Sequence, residues 1–142
     1  MNKKGFTLIE LLAIIVILAI IAVITVPIIL NVIDNAKKGA AKNSVIGYGK
    51  SIELAYTQKL YDDNLGGTTT EGIAVPVEIT NASGETVSTA TYNVVYEGTD
   101  VVCNKALFNS GKLELQGCHV DGDESVTFWY KSGAAGEGEK AE

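Results

Sequence analysis

Fourteen consecutive apolar residues at positions 11–24 constrain this 142-residue chain more than any other feature. Across residues 8–30 only Glu10, Thr25 and Pro27 break the run with a polar or helix-disrupting side chain. As a helix rising about 1.5 Å per residue, that stretch would span roughly 34 Å, enough to cross a hydrocarbon core. Eleven of the fourteen residues are Leu, Ile or Val, and together they favour insertion by roughly 3 to 7 kcal/mol. A carboxylate such as Glu10 costs about 3 kcal/mol at the bilayer centre and less near the edge, where it sits. Insertion wins. Lys3 and Lys4 precede the run, so the first residues are expected to stay cytoplasmic and the remainder to lie outside.

Two plainer readings compete. A secretory signal peptide shares the basic start and the apolar stretch, but this stretch is too long and no Ala-x-Ala-like site follows it. A simple signal anchor accounts for everything except Glu10, because an acid inside a membrane segment demands a partner.

The residues Lys3-Lys4-Gly5-Phe6-Thr7-Leu8-Ile9-Glu10 resemble the leader and cleavage motif of type IV pilins. The likeness joins a short basic leader, a Gly–Phe junction, a Glu at fixed offset and an apolar helix, and it covers roughly residues 1–60. Beyond that the resemblance is architectural. It implies that prepilin peptidase cuts between Gly5 and Phe6 and that Phe6 becomes N-methylated. Removing residues 1–5 takes away two lysines and moves the side-chain charge from −6 to −8. It also implies an assembly role for Glu10, which in the family is thought to neutralise the Phe6 amine of a neighbouring subunit. Physically, a cation and an anion in an apolar medium are each costly alone and less so together. Such a pair would also set the stagger between subunits.

Pro27 removes a backbone donor and clashes with the preceding turn, so a kink or melted stretch is expected near residues 23–27; a tolerated membrane-helix proline is the alternative. Past Asp34 the residues Ile33, Ala36, Ala40, Val45, Tyr48, Ile52, Ala55 and Leu60 form one apolar stripe at helical spacing. Gly39, Gly47 and Gly49 weaken that helix by about 1 kcal/mol each relative to Ala, so it needs packing against a sheet to persist. Gly49-Lys50-Ser51 is not a phosphate loop, since Ser44 stands where the first Gly belongs and no strand precedes it.

Charge divides as the apolar residues do. Residues 1–60 carry seven Lys and three acids, for +4, whereas 61–142 carry four Lys and fourteen acids, for −10. Direct nucleic acid binding by the acidic part is therefore not expected. Its alternation and turn residues predict strands near 73–79, 91–97, 100–108, 112–120 and 125–131, the first demoted to an edge or loop by Pro76. Three or four antiparallel strands would pack on the amphipathic half-helix as an α+β head. A two-residue turn at Ser110-Gly111 sets the register so that Phe108 faces Leu113, Ala106 faces Leu115 and Cys103 faces Cys118. The first two pairs make an apolar face, and the cysteines fall on the opposite, more polar one beside Lys105 and Gln116. Directly opposed cysteines lie within disulfide reach, and two cysteines in an exported head favour a bond over two buried thiols.

The remaining candidates are weak. His119 is the sole histidine and is expected on a strand surface. Asp121-Gly122-Asp123-Glu124 lacks the spacing of a helix–loop–helix calcium site. Asn81-Ala82-Ser83 is a glycosylation sequon by pattern alone. Phe128-Trp129-Tyr130 is expected to send one or two rings into the core and Trp129 to the other face. No paired carboxylates, Ser/His/Asp set or metal cluster can be placed, so no enzyme activity, metal or cofactor is expected.

The expected organisation is a leader at 1–5, a transmembrane and assembly helix at 6–30, an amphipathic half at 31–60, an acidic β head at 61–131 and a flexible tail at 132–142. The resemblance implies a structural subunit of a surface filament. Its partners would be further copies of itself in a helical homopolymer, related minor pilins, prepilin peptidase and the pilus assembly platform in the membrane. The subunit would sit in the cytoplasmic membrane before assembly and in an extracellular filament afterwards. The alternatives are a pseudopilin of a type II secretion or DNA-uptake system and, more distantly, a membrane-anchored extracellular binding module.

Overall fold

The computed structural model describes residues 5–65, 72–81, 83 and 85–138. Lys3 and Lys4, and the leader apart from Gly5, lie outside them. One helix, α1 (Leu8–Leu65), is followed by six strands: β1 (Ile73–Thr80), β2 (Thr86–Val94), β3 (Val101–Asn109), β4 (Lys112–Val120), β5 (Asp123–Lys131) and β6 (Ala134–Glu137). The architecture is α+β, with two compact units, Met1–Lys37 and Lys38–Glu142.

In the first unit every described residue is exposed. The helix runs unbroken through Pro27, so the melted stretch expected at 23–27 is not found. A proline removes a single intrahelical donor, and the helix continues on both sides of it although Val23, Ile24, Thr25, Val26, Ile28 and Ile29 are β-branched and only middling helix formers. At the other end α1 continues to Leu65 rather than stopping at 60. No Gly or Pro occurs between Lys50 and Gly66, so nothing in that stretch terminates the helix.

The second unit is a helix laid on a sheet of order β2-β1-β3-β4-β5-β6. Val45, Ile52 and Ala55 supply the helical side of the core, against Val77, Val94, Leu113, Leu115, Phe128 and Tyr130. Of the expected stripe, Ile33, Ala36, Ala40 and Leu60 stay exposed, because packing against the sheet covers only the middle of it. Two glycines expected to weaken the helix instead allow this contact. A Cβ at Gly49 would sit 2.6 Å from the Tyr130 ring, and one at Gly47 would sit 3.3 Å from that of Tyr96. The helix thus lies on aromatic rings at positions where any side chain would hold it away.

The sheet has more strands than expected, and one parallel seam. β1 pairs with β2 along its length, but meets β3 in parallel only at Glu78–Leu107, Ile79–Phe108 and Thr80–Asn109. Pro76 therefore lies in an interior strand, contrary to the edge placement its missing N–H suggested. It is accommodated because the β3 side of β1 has no ladder partner at that level. There the strands part around an open cleft of about 290 Å³ whose lining includes Tyr48, Pro76, Val101 and Cys103. β2 lies at 86–94 instead of 91–97 because Tyr96 leaves the sheet for the helix. Its hydroxyl donates to the Ser44 carbonyl at 3.2 Å and its ring meets Tyr48 edge-on at 5.6 Å.

β3 and β4 take the register set by the Ser110-Gly111 turn, both of whose residues have positive φ. The face assignment fails partway along. Cys118 is fully buried in the core instead of on a polar face. Gly117, at φ 60°, adopts a conformation that other residues avoid, and the β4–β5 register shifts between Leu115 and Cys118. An extra residue at that point turns Cys118 inward. The tail assignment at 132–142 also needs correction, since Ala134–Glu137 form β6 on β5. Ser132 and Gly133 both have positive φ and make the tight turn, and the Trp129 indole covers Gly136 so closely that a Cβ there would lie 2.7 Å away. Residues 139–142 lie outside the described set.

Candidate functional site: an exposed N-terminal processing and assembly segment

Gly5, Phe6 and Thr7 precede the helix and carry no regular structure. Phe6 is 80 % exposed, and among the described residues nothing beyond the immediate chain neighbours lies within 4 Å of where a Gly5 Cβ would be. The Gly5–Phe6 peptide bond is thus outside the helical hydrogen-bond ladder and open on its glycine side, as a substrate bond must be to enter a peptidase.

Glu10 has a local partner that the sequence reading overlooked. Its Oε2 accepts hydrogen bonds from the Thr7 backbone N–H at 2.8 Å and from the Thr7 hydroxyl at 2.7 Å. The Glu10 N–H in turn donates to the Thr7 Oγ1 at 3.3 Å. This reciprocal arrangement is a capping box, and its signature, Thr-x-x-Glu ahead of an apolar run, is legible in the sequence. It satisfies donors that every helix N-terminus leaves free. In the single chain, then, the Glu10 carboxylate is held at the helix start, within a turn of the residue that would carry the new amine.

From Leu8 onward α1 is long and apolar enough to cross a membrane, and the apolar window is wholly unburied within the chain. Thr25, one of its few polar side chains, donates to the Ile21 carbonyl at 2.7 Å and so presents no free hydroxyl donor to a hydrocarbon medium.

The other candidates do not converge on this segment. Cys103 and Cys118 are directly opposed across β3 and β4 and joined by a disulfide. His119 is half-buried, with Nε2 3.9 Å from the Glu124 carboxylate. Among the described residues no group of three His, Cys, Asp or Glu side chains could hold a metal ion. The Asn81 side chain is occupied in a turn, accepting from the Ser83 and Glu85 N–H groups at 2.9 and 3.0 Å. Phe128 and Tyr130 both fill the core, at 1 % exposure each. Burial, reinforced by the Glu53 carboxylate, pushes the Tyr130 phenol up to about 12. Its hydroxyl is buried without a well-aligned hydrogen-bond partner among the described residues.

An accessible Gly–Phe junction, a capped apolar helix and a small α+β head together have the arrangement of a pilin-like, membrane-anchored precursor. The comparisons with known proteins agree for the N-terminus: residues 1–26 match the family described as the prokaryotic N-terminal methylation motif, the prepilin-type cleavage and methylation signature. No curated protein and no solved structure matches the chain.

Proposed function

We propose that this chain is the structural subunit of a type IV pilus-like surface filament, cleaved between Gly5 and Phe6, N-methylated at Phe6 and polymerised through its N-terminal helix. The observation that carries the reading is the pairing of a prepilin-type signature at residues 1–26 with an apolar helix segment that finds no cover within its own chain. Large exposed apolar surfaces mark interaction sites, and a bilayer before assembly and sister helices after it would cover this one in turn. Within the filament Glu10 exchanges its Thr7 partners for the Phe6 amine of a neighbour, an exchange of hydrogen bonds for a charge pair in a medium where charges must pair. Pro27, with one backbone donor missing, is the proposed hinge of the spanning segment.

The decisive experiment compares Glu10→Ala with Thr7→Ala. Each breaks one half of the capping box: Thr7→Ala removes the N-cap acceptor, costing about 0.5–2 kcal/mol of helix stability, and Glu10→Ala removes the carboxylate that accepts from Thr7, but only Glu10→Ala removes the charge. Processing, read by intact mass, is expected to survive in both. Sheared-filament yield is expected to collapse in Glu10→Ala and to remain substantial in Thr7→Ala. Normal yield from Glu10→Ala defeats the pairing role, and a mature mass that retains residues 1–5 defeats the processing claim. Abundant long filaments containing the chain distinguish a pilin from a pseudopilin of a secretion or DNA-uptake system, which would be absent from sheared material.

A further inference from the structure

We propose that Lys59 guards the free edge of the sheet, its ammonium closing β2 against the β2 strand of a second copy. The inference rests on the head alone and is independent of the filament reading.

The outermost strands are β2 and β6. An outermost strand presents unpaired N–H and C=O groups on which a foreign strand can form, and proteins blunt such edges with brevity, charge, proline or bulges. β6 has brevity, at four residues. β2 has nine, mostly Thr, Val and Tyr, with no acid, lysine or proline among them. That composition favours pairing. The net acidity of the head does not protect this strip at contact, because repulsion between exposed charges is largely screened beyond about 8–10 Å at ordinary salt. A bulge, where Thr80 meets Thr86 and Val87 is passed over, disturbs the beginning of the strand and leaves the rest straight.

Pro76 and Lys59 together fix which way the backbone of β2 points. Pro76 stands opposite Thr91. Opposed residues of an antiparallel ladder either exchange both bonds with each other or turn their polar groups away. Pro76 has no N–H to exchange, and the Thr91 carbonyl accepts from Lys59 Nζ at 3.3 Å. The pair is therefore of the second kind, and Thr91 and, two residues back, Thr89 direct their N–H and C=O groups off the sheet. Lys59 comes from the last turns of α1, and its Nζ also lies 5.2 Å from the centre of the Tyr92 ring. This cation–π contact holds the ammonium at the edge. A second β2 strand would need the carbonyl that Lys59 occupies, and a two-fold pairing would bring two ammoniums to one seam, where like charges are unfavourable.

The test uses the full chain in detergent micelles and follows amide hydrogen exchange at Thr91 by NMR, at low and high protein concentration. In the wild type this amide is expected to exchange fast at both. Lys59→Gln removes the cation without adding apolar surface, and it should protect Thr91 at high concentration only. Each lysine contact forfeited on pairing is worth about two- to fivefold in affinity, so a two-fold pairing should tighten by roughly four- to twenty-fivefold. Lys59→Arg should behave as wild type, and so should Lys50→Gln, which alters another exposed lysine of α1. Adding Thr89→Pro to Lys59→Gln places a proline where the N–H faces outward, and should abolish the protection while sparing the β1 ladder. Fast exchange of Thr91 in Lys59→Gln at high concentration overturns the guard role, whatever the proline variant does. Protection already present in the wild type also overturns it, because the edge is then closed by something other than Lys59. Protection that survives Thr89→Pro in a head of normal thermal stability overturns the second β2 strand as the occupant.

Discussion

α1 is one helix living under two regimes. Between residues 5 and 40 no side chain is covered, although Leu, Ile and Val dominate; between 41 and 56 burial recurs with helical period, although two glycines and several polar residues intervene. Hydrophobicity alone therefore does not locate the core of this molecule. The apolar portion is built to be covered by something other than its own chain, whereas the mixed portion is shaped, down to missing side chains, for one sheet.

The sharpest way to break this comparison is to truncate an isoleucine in each regime. Ile52 is fully buried and Ile17 is 57 % exposed. Ile52→Ala should cost the head about 2–5 kcal/mol, whereas Ile17→Ala should leave head unfolding in detergent unchanged, both measured by denaturant titration. A comparable loss from the two would erase the distinction. Next in size is the disulfide, which closes a loop of sequence separation 15. Reduction should cost about 3 kcal/mol and lower the melting temperature of the head without altering the helicity of the apolar segment.

Gly49 and Gly39 make a finer comparison. At Gly49 an alanine must displace the Tyr130 ring, while at Gly39 nothing lies within 4 Å. Gly49→Ala should therefore destabilise by about 1–2 kcal/mol, as overpacking outweighs the gain in helix propensity. Gly39→Ala should add up to about 1 kcal/mol of helix stability. Opposite signs in thermal melts are the expected result.

A further effect is confined to alkali. The folded Tyr130 phenol is raised to about 12, above the ordinary tyrosine value of 10.0. Its contribution to stability is thus complete below about pH 10 and lost as pH climbs toward 12, because only the unfolded state ionises readily in that window. Head stability should fall between those values, and Tyr130→Phe should flatten the fall. An unchanged slope in that variant would assign the alkaline loss to other groups, Tyr48 and Tyr92 among them, whose phenols burial also raises.

Much of this was legible in the sequence, because some signals are local. The apolar run, the Ser110-Gly111 hairpin register and the opposition of Cys103 to Cys118 each follow from nearest-neighbour chemistry. Thr7 with Glu10 is equally legible, as a capping box, from the Thr-x-x-Glu spacing ahead of an apolar run. What failed was non-local. Pro76 reads as an edge residue until one sees β3 diverge from β1 beside it. Gly47 and Gly49 read as weak helix until the rings arrive from the sheet. Gly117 reverses the facing of Cys118 through a bulge that alternation alone does not announce. The tail at 132–142 looked featureless because Gly136 contributes to β6 by having no side chain, which gives the Trp129 indole room to lie over it.

The three-residue seam between β1 and β3 has a mechanical meaning. The sheet is two leaves, a β1–β2 hairpin and a β3–β6 meander, sewn together at one end and clasped from behind by α1. Such a joint is thin in backbone bonds and relies on burial: parting the hairpin from the meander gives up three ladder positions together with the core packing of Val77, Tyr92 and Val94, while the hairpin's own pairing stays intact. Backbone amides of β1 and β2 should then exchange with solvent as a group, ahead of those in β4 and β5.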